Sequence, residues 1–409
     1  MEHLLFLGHR IPYPPNKGDK IRSYHLLKHL AERYHVHLGT FVDDPDDWQH
    51  VERVKAYCGE THFADLNPRT AKVRSLGALA GNRALSIDYY RDTTLQAWVD
   101  QVTRRHDIRR VLVFSSAMAQ YAMHLRDVRR VIDFVDIDSD KWRQYAENKR
   151  WPMSWLYGRE ARQLLHYEQH VAREFDASLF VSQPEADLFK RLAPAVREKV
   201  GFFSNGVDTD YFAPAHQFDN PYTQDHDVMT FTGAMDYWPN IDAAQWFANE
   251  IFPSIRQAHP AAHFYIVGAR PTAAVTALAE MPGVHVTGTV PDVRPYLAHA
   301  KLTVAPLRIA RGIQNKVLEA MAMAKPVVVS AQALEGIDAL PGRELLLAED
   351  AQAFAAKTIG QLKTPDGNIG FHAREKVVAL YGWTSNLSRV DALLDPAPAA
   401  SPKPLAALP

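Results

Sequence analysis

The stretch ARGIQNKVLEAMAMAKPVVVS, residues 310–330, sets a glycine turn, a short amphipathic helix and a β-rich run one after another. Val327, Val328 and Val329 read as a buried strand, and a helix feeding such a strand is the repeating unit of a parallel sheet. Within the helix, Lys316 and Glu319 stand three residues apart and share one face. Gly312 permits close backbone approach to a ligand, and the free N–H groups at the start of the helix favour an anion such as a diphosphate. Lys316 adds a point charge there. The carboxylate of Glu319, one turn deeper, suits paired sugar hydroxyls such as those of a ribose. The same spacing also describes a helix-surface ion pair worth ~0.2–0.5 kcal/mol.

Outward from this stretch the grammar repeats in both directions. Short apolar runs at 4–8, 36–41, 111–114, 131–135 and 178–182 predict strands, with a long helix over about 155–174. A second series follows at 228–233, 263–268, 284–288, 302–306 and 326–330, with helices near 240–258, 272–280 and 313–324. The fold class is therefore α/β. Between the series, SNGVDTDYFAPAHQFDNPYTQDHD (204–227) is dense in Asn, Asp, Gly and Pro and reads as a linker. The predicted organisation is a first domain over 1–203, the linker 204–227, a second domain over 228–382, a C-terminal helix over 383–394 and a disordered tail over 395–409. A chain of 409 residues suits two such cores. Open parallel sheets bind ligands beyond the carboxyl ends of their strands, so two domains facing each other are expected to hold the chemistry in a cleft between them.

Composition narrows the class. Lys and Arg total 46 against 47 Asp and Glu, a net charge of −1 that points away from nucleic acid as a partner. Cys58 is the single cysteine, which excludes an internal disulfide and a thiolate-rich metal site and fits a cytoplasmic location. No apolar run reaches the roughly 18 residues of a membrane span, and MEHLLFLGHRIPYPP reads as a first strand rather than a secretory signal. The histidines show no spacing such as His-Glu-x-x-His, so neither metal nor cofactor is expected.

The first half carries two further motifs. In PYPPNKGDKIRS (12–23), Gly18 permits close approach and Asp19 is placed to cap the helix that follows. That helix sets Lys17, Lys20, Arg22, Lys28 and Arg33 against Asp19 and Glu32, a basic face suited to anionic lipid where its apolar side is free. In VIDFVDIDSDKW (131–142), Asp136, Asp138 and Asp140 follow a strand. They are able to hold a hard cation, to supply a nucleophile, or to cap a helix starting near Lys141.

Taken together, KVLEAMAMAKPVVVS, SNGVD upstream and FTGAMDYWPNIDAAQWF (231–247) resemble the GT-B glycosyltransferases of family 4 over nearly the whole chain. With GHRIPYPPNKGDKIRSYHLLKHLAERYHVHLGTF (8–41) and DFVDIDSDKW, they are similar in particular to the sugar transferases associated with exosortase (PEP-CTERM) exopolysaccharide loci. The resemblance implies two Rossmann-like domains facing an inter-domain cleft. It implies retaining, metal-independent transfer of a hexose-type sugar from a nucleotide-diphosphate donor to a glycan or lipid-linked acceptor in exopolysaccharide biosynthesis. The enzyme is then expected in the cytoplasm, with peripheral membrane contact through the basic helix near 20–33.

The resemblance also implies a donor site of Gly18, Gly233, Arg308, Gly312, Ile313, Gln314, Lys316 and Glu319, with Asp19 and Glu168 on the acceptor side. Asp136 or Asp138 stands where relatives carry a histidine, and with Lys316 and Glu319 they form the expected catalytic set. Of the family's two donor-site glutamates the second falls on Glu319, while the first position is Arg311. Relatives often place an arginine and a lysine for the donor phosphates in the region of GAMDYWPN, where this chain has neither, which assigns that charge to Arg308 and Lys316. Two rival readings are a haloacid-dehalogenase-like phosphatase using Asp136 and Asp138, which opens on a similar strand and Asp-x-Asp, and a non-catalytic GT-B protein that binds sugar nucleotide. A dinucleotide-binding dehydrogenase is disfavoured, since no Gly-x-Gly-x-x-Gly follows a strand.

Overall fold

The computed structural model describes residues 1–395 apart from Asn16, Lys17, Asn82, Asn148, Thr223, Gln224, Asp225, Arg311 and Gly312. It divides into two units, Met1–Ser204 with Leu387–Pro409, and Asn205–Asn386.

The first unit is built on strands β1 (Glu2–Gly8), β2 (Tyr34–Val42), β3 (Thr61–Asp65), β4 (Arg110–Phe114), β5 (Arg129–Val135), β6 (Ala177–Phe180) and β7 (Val200–Phe202). Their order is β3-β2-β1-β4-β5-β6-β7 with every pair parallel. Central strands of such a sheet are covered on both faces. Leu4 to Leu7 on β1 and Val111 to Val113 on β4 are accordingly buried without alternation. The sheet order reverses between β1 and β4, the place where an open α/β sheet leaves a crevice.

The helix Gly18–Ala31, which follows β1, carries the charge that organises this unit. The Arg22 guanidinium is fully buried and donates to both oxygens of Asp133 on β5, at 2.6 and 3.1 Å. It also donates to the Phe203 carbonyl at 2.9 Å and lies 3.5 Å over the Phe203 ring. Burial pushes the Asp133 carboxyl up, and Arg22 opposes that. Lys20, also buried, donates to Asp47 at 2.6 Å, and Arg33 pairs with Asp391 at 2.6 Å. The basic face expected on this helix is thus divided. Lys20 and Arg22 point inward because Asp47 and Asp133 await them there, Lys28 remains exposed, and Lys17 lies outside the described residues. Asp19 is not the cap residue either, since the helix already starts at Gly18 and Asp19 falls in its first turn.

The second unit is built on β8 (Asp227–Thr232), β9 (Ala262–Val267), β10 (Val284–Gly288), β11 (Leu302–Ala305), β12 (Val327–Val329) and β13 (Leu346–Leu347), in the order β10-β9-β8-β11-β12-β13, all parallel. Here the order reverses between β8 and β11. The ends of β8 and β9 are held close: Gly233 donates to the Val267 carbonyl at 3.0 Å, and a Cβ on Gly268 would meet the Gly233 carbonyl oxygen at 1.7 Å. The helix expected over 240–258 is three pieces, Trp238–Trp246, a wider turn at Phe247–Ile251 and Phe252–Ala258, with Pro253 lacking the donor that a continuous ladder needs.

Residues 205–222 pack as part of the second unit instead of forming a free linker. Val207 sits in its core and donates to the Tyr381 carbonyl at 2.8 Å, Phe212 and Phe218 pack against that core, and the Tyr222 hydroxyl donates to Tyr296 O at 2.7 Å. The polar residues between them make turns, as where Asp208 accepts the Asp210 and Tyr211 amides at 3.2 and 2.9 Å. The last helix, Trp383–Leu394, runs from one unit into the other, and from Leu387 onward it belongs to the first. Asp391 accepts from His29 at 3.0 Å, and Asp395, expected to begin the tail, accepts from Arg110 at 2.5 Å. The rest of that tail, 396–409, lies outside the described residues.

At the opposite strand ends of the first unit, ring nitrogens of His3, His37 and His106 converge within 4.8 Å of one another. The three come from β1, β2 and the end of the helix Thr93–Arg105, so no local spacing announces them. Hydrogen bonds occupy them. The Glu60 amide donates to His37 Nδ1 at 3.1 Å, which assigns the proton of the neutral ring to Nε2, 2.9 Å from His3 Nδ1. His106 Nε2 faces the Glu60 carboxylate at 2.6 Å. The lone pair that a metal would need on His37 is therefore committed, and the rings form a closed stack.

Arg22→Ala leaves Asp133 buried and unpaired, so urea unfolding is expected to show a loss of about 3–5 kcal/mol. Burial, then His106 and His3, push His37 down to about 4. A histidine depressed in the folded state stabilises fully above its ordinary value of ~6.5, and that contribution is lost as pH falls from there toward about 4, by at most ~1.4 kcal/mol per unit. His37→Gln is expected to flatten the stability profile in that window.

Candidate functional site

In the second unit the chain leaves β8 through Gly233 into the helix Trp238–Trp246, and leaves β11 toward the helix Asn315–Ala322. Both helices therefore start where the sheet order reverses. Lys316 Nζ donates to Asn240 Oδ1 at 2.5 Å and stands 4.7 Å from the centre of the Phe231 ring. Asn240 is itself fixed, donating through Nδ2 to the Ala234 carbonyl at 2.9 Å. Gly233 leaves the room. A Cβ there would stand 2.8 Å from Asn240 Nδ2 and 3.1 Å from Lys316 Nζ. An ammonium has three donors, and among the described residues only Asn240 takes one.

Burial pushes Lys316 down to about 8 against the pull of Glu319, and pushes Glu319 up to about 7 against the pull of Lys316. The two share a face and feel each other's charge, yet among the described residues they form no ion pair, and the Glu319 carboxylate has no hydrogen-bond partner. The surface-pair reading of their spacing therefore fails. Gln314 occupies the helix cap in an extended conformation, and its carbonyl accepts the Val317 amide at 2.9 Å. Ile313 packs against the core. The oxygen of the Asn315 side chain is buried in the first turn with no hydrogen-bond partner among the described residues. Gly312 and Arg311 lie outside the described residues.

Arg308 is placed differently from Lys316. Its guanidinium makes a two-point contact with Asp242 on the helix Trp238–Trp246, at 3.0 and 2.5 Å, and stays half exposed beside Trp246. Its charge is already answered, which makes Lys316 the cation with donors to spare. Tyr211 is held near Glu319: burial first, then Asp292, raise its hydroxyl, and Glu319 adds to the rise. Arg294 lies 3.6 Å over the Tyr211 ring and grips Asp292 at 2.6 Å.

In the first unit Asp136 and Asp138 both accept from Lys141 Nζ, at 2.7 and 3.3 Å. The helix begins at Asp138, three residues before the expected start at Lys141, so Asp138 and Asp140 lie in its first turn. The carboxylate that meets its free amides is Glu168, fully buried, which accepts the Ser139 N–H at 3.2 Å and the Ser139 hydroxyl at 2.5 Å. Burial pushes Glu168 up to about 8, and Asp138 adds to that. A phosphatase reading needs Asp136 or Asp138 free to attack, whereas a lysine engages both.

Asp19 accepts from Arg10 at 2.7 Å and lies 3.5 Å from His9 Nε2. Burial opposes its ionisation, but His9, Arg10 and the Lys20 amide together hold the carboxyl well below the usual range. His9 directly follows β1, stacks on Phe114 at the end of β4 with ring centres 5.7 Å apart, and keeps a buried Nδ1 with no hydrogen-bond partner among the described residues. Sequence reasoning missed both His9 and Asn240. The available signal for His9 was its place immediately after the glycine that ends the first strand. Gly18 only opens its helix, since a Cβ there would meet nothing within 4 Å. A cavity of about 400 Å³ lies elsewhere in the first unit, lined by Ala146, Gly158, Ala161, Leu165 and Leu192 among others, and none of the residues assigned to donor or acceptor lines it.

Comparison with known proteins bears on the fold and on the second unit. No curated protein sequence gives a significant match. Among solved structures, a sucrose-phosphate synthase from Thermosynechococcus elongatus superposes with a TM-score of 0.64 at 16% identity, covering 96% of this chain and 98% of that one. Anabaena Alr3699/HepE in complex with UDP gives 0.64 at 17%, covering 96% and 99%. WaaG, a glycosyltransferase involved in lipopolysaccharide biosynthesis, gives 0.63 at 15%, covering 96% and 100%. Residues 226–364, which contain Gly233, Asn240, Lys316 and Glu319, match the family described as glycosyl transferases group 1, and the chain has the GT-B fold.

Proposed function

We propose that the protein is a glycosyltransferase that moves a hexose-type sugar from a nucleotide-diphosphate donor to a glycan or lipid-linked acceptor, with retention and without a metal. Exopolysaccharide assembly of the exosortase-associated kind, on the cytoplasmic side, is the setting we assign to it. The observation that carries the reading is Lys316, a half-buried ammonium that among the described residues has unused donors, beside a glycine gap and a carboxylate with no partner there. Departure of a nucleoside diphosphate builds negative charge on its phosphates. Lys316 and the N–H groups of its helix are set to stabilise that charge in advance. Glu319 accepts hydrogen bonds from the ribose hydroxyls. On the acceptor side, the Asp19–His9 pair and Asp138 supply groups able to orient a hydroxyl.

Thermal shift with uridine, guanosine and adenosine diphosphate sugars tests this, since a donor at a hundred times its Kd adds about 2.7 kcal/mol. Uridine donors are the first choice, HepE having been seen with UDP and with UDP-glucose. Lys316→Ala and Glu319→Ala are expected to remove the shift while the ligand-free protein melts as before. Donor binding unchanged in both removes the assignment, and binding with no transfer to any acceptor would favour the non-catalytic reading.

The pH dependence follows from the same lysine. A bound diphosphate favours charged Lys316, so the lysine's contribution to affinity is full below about 8, where the free protein keeps the ammonium, while that of Glu319 needs a pH above about 7. Above about 8 the lysine's contribution is expected to weaken by up to about tenfold per unit. Titration calorimetry with UDP across this range reads the change, and Lys316→Ala should abolish it.

A further inference from the structure

The helices Asp138–Glu147 and Met153–Glu174 form a hairpin in the first unit, and its turn displays large apolar side chains to solvent. Trp151 is 81% exposed, Trp155 56%, Tyr145 54% and Met153 39%. Single exposed apolar residues are ordinary, but four within about eleven positions, Tyr145 to Trp155, form a patch that calls for a partner. The start of the second helix is anchored to the residues before it: Ser154 donates to the Arg150 carbonyl and Leu156 to the Pro152 carbonyl, both at 3.1 Å. Behind it Trp142 packs on Tyr145 and Tyr157, with ring centres 5.9 and 5.1 Å apart.

Charge says which partner. Lys149 and Arg150 are exposed, and among the described residues neither has an ion-pair partner. Arg143 holds both nearby acids, Asp140 at 2.7 Å and Glu147 at 2.6 Å, and these three side chains leave one negative charge against the two positive charges of Lys149 and Arg150. The tip therefore combines a net positive charge with indole and phenol rings. Two copies meeting tip to tip would bring like charges together. A membrane interface, in contrast, takes amphipathic aromatic rings at the headgroup level and attracts cations to anionic lipid.

We propose that the hairpin tip formed by Tyr145, Lys149, Arg150, Trp151, Met153 and Trp155 seats the protein on the surface of an anionic lipid bilayer. The rings enter the boundary between headgroups and acyl chains, and Lys149 and Arg150 lie against lipid phosphates. This is a different surface from the basic helix near 20–33, whose Lys20 and Arg22 are buried. It does not rest on the glycosyltransferase reading, because membrane attachment is measured without nucleotide.

Co-sedimentation of the full chain with vesicles tests the proposal. The protein is expected to pellet with equal parts phosphatidylcholine and phosphatidylglycerol, not with phosphatidylcholine alone, and to show a blue shift in tryptophan emission. Added salt should weaken binding. At about fivefold per cation, Lys149→Gln with Arg150→Gln should lower partitioning about thirtyfold, and Trp151→Ser with Trp155→Ser should abolish the blue shift. All four side chains are exposed, so both double variants should melt as the parent does, and UDP-sugar shifts should be unchanged in each. The proposal is overturned by absence of pelleting with the phosphatidylglycerol-containing vesicles, by equal pelleting with phosphatidylcholine alone, or by pelleting that both double variants retain. It is also overturned by a dimer in sedimentation velocity that the tryptophan variant loses, which would make a second copy the occupant.

Discussion

A cation taken out of water must be answered by something, and in this protein the two units answer differently at the carboxyl ends of their sheets. In the first, Arg22 is surrounded: two carboxylate oxygens of Asp133, the Phe203 carbonyl and the Phe203 ring account for its planar head. Such a pair locks one helix to the ends of β5 and the segment after β7, and leaves nothing for a ligand. In the second, Lys316 has an amide oxygen and an aromatic face but no carboxylate within bonding reach among the described residues. Burial pushes it toward its neutral form, with Glu319 pulling the other way. On the function proposed above, a dianionic diphosphate would complete the shell of such a lysine.

Much of the fold is legible in the sequence because parallel strands covered on both faces become continuous apolar runs. FLG after LL in β1, VLVF in β4 and VVV in β12 could hardly be anything else. The strands that sequence reasoning missed, β3, β7 and β13, are short, and in THFAD of β3 only Ala64 is buried. An edge strand borrows its register from a neighbour, here Phe41 against Ala64 and Thr40 against Phe63, and pairing of that kind leaves no periodicity. The segment 204–227 misleads for the converse reason. Its turn-forming residues dominate the composition, while the few that bury, Val207, Phe212, Phe218 and Tyr222, are too sparse to show a pattern.

The site is legible to the extent that its parts lie on one helix. Lys316 and Glu319 are readable from a spacing of three. Asn240 and Gly233 are not, since they join Lys316 only after β8 and β11 become neighbours across 70 or so intervening residues of chain. The stretch GAMDYWPN looked deficient because it lacks the cations that relatives carry there. What it holds instead is a neutral amide that aims a lysine from elsewhere and a glycine that leaves the space open. Glu168 shows the opposite case. Its place in the helix suggested a group facing an acceptor, yet Ser139 occupies both of its oxygens.

The proximity of Lys316 and Glu319 has a consequence for how the two halves of a nucleotide would be felt. Each group is pushed toward its neutral form by burial, and each resists that push in the other. A phosphate arriving at Lys316 keeps the ammonium charged, and a charged ammonium in turn favours the ionised form of Glu319, the better acceptor for hydroxyls. On the proposed reading, binding of the diphosphate would therefore strengthen the group assigned to the sugar ring. A ligand carrying both parts gains from that coupling, whereas inorganic diphosphate or a bare nucleoside engages only one side of it.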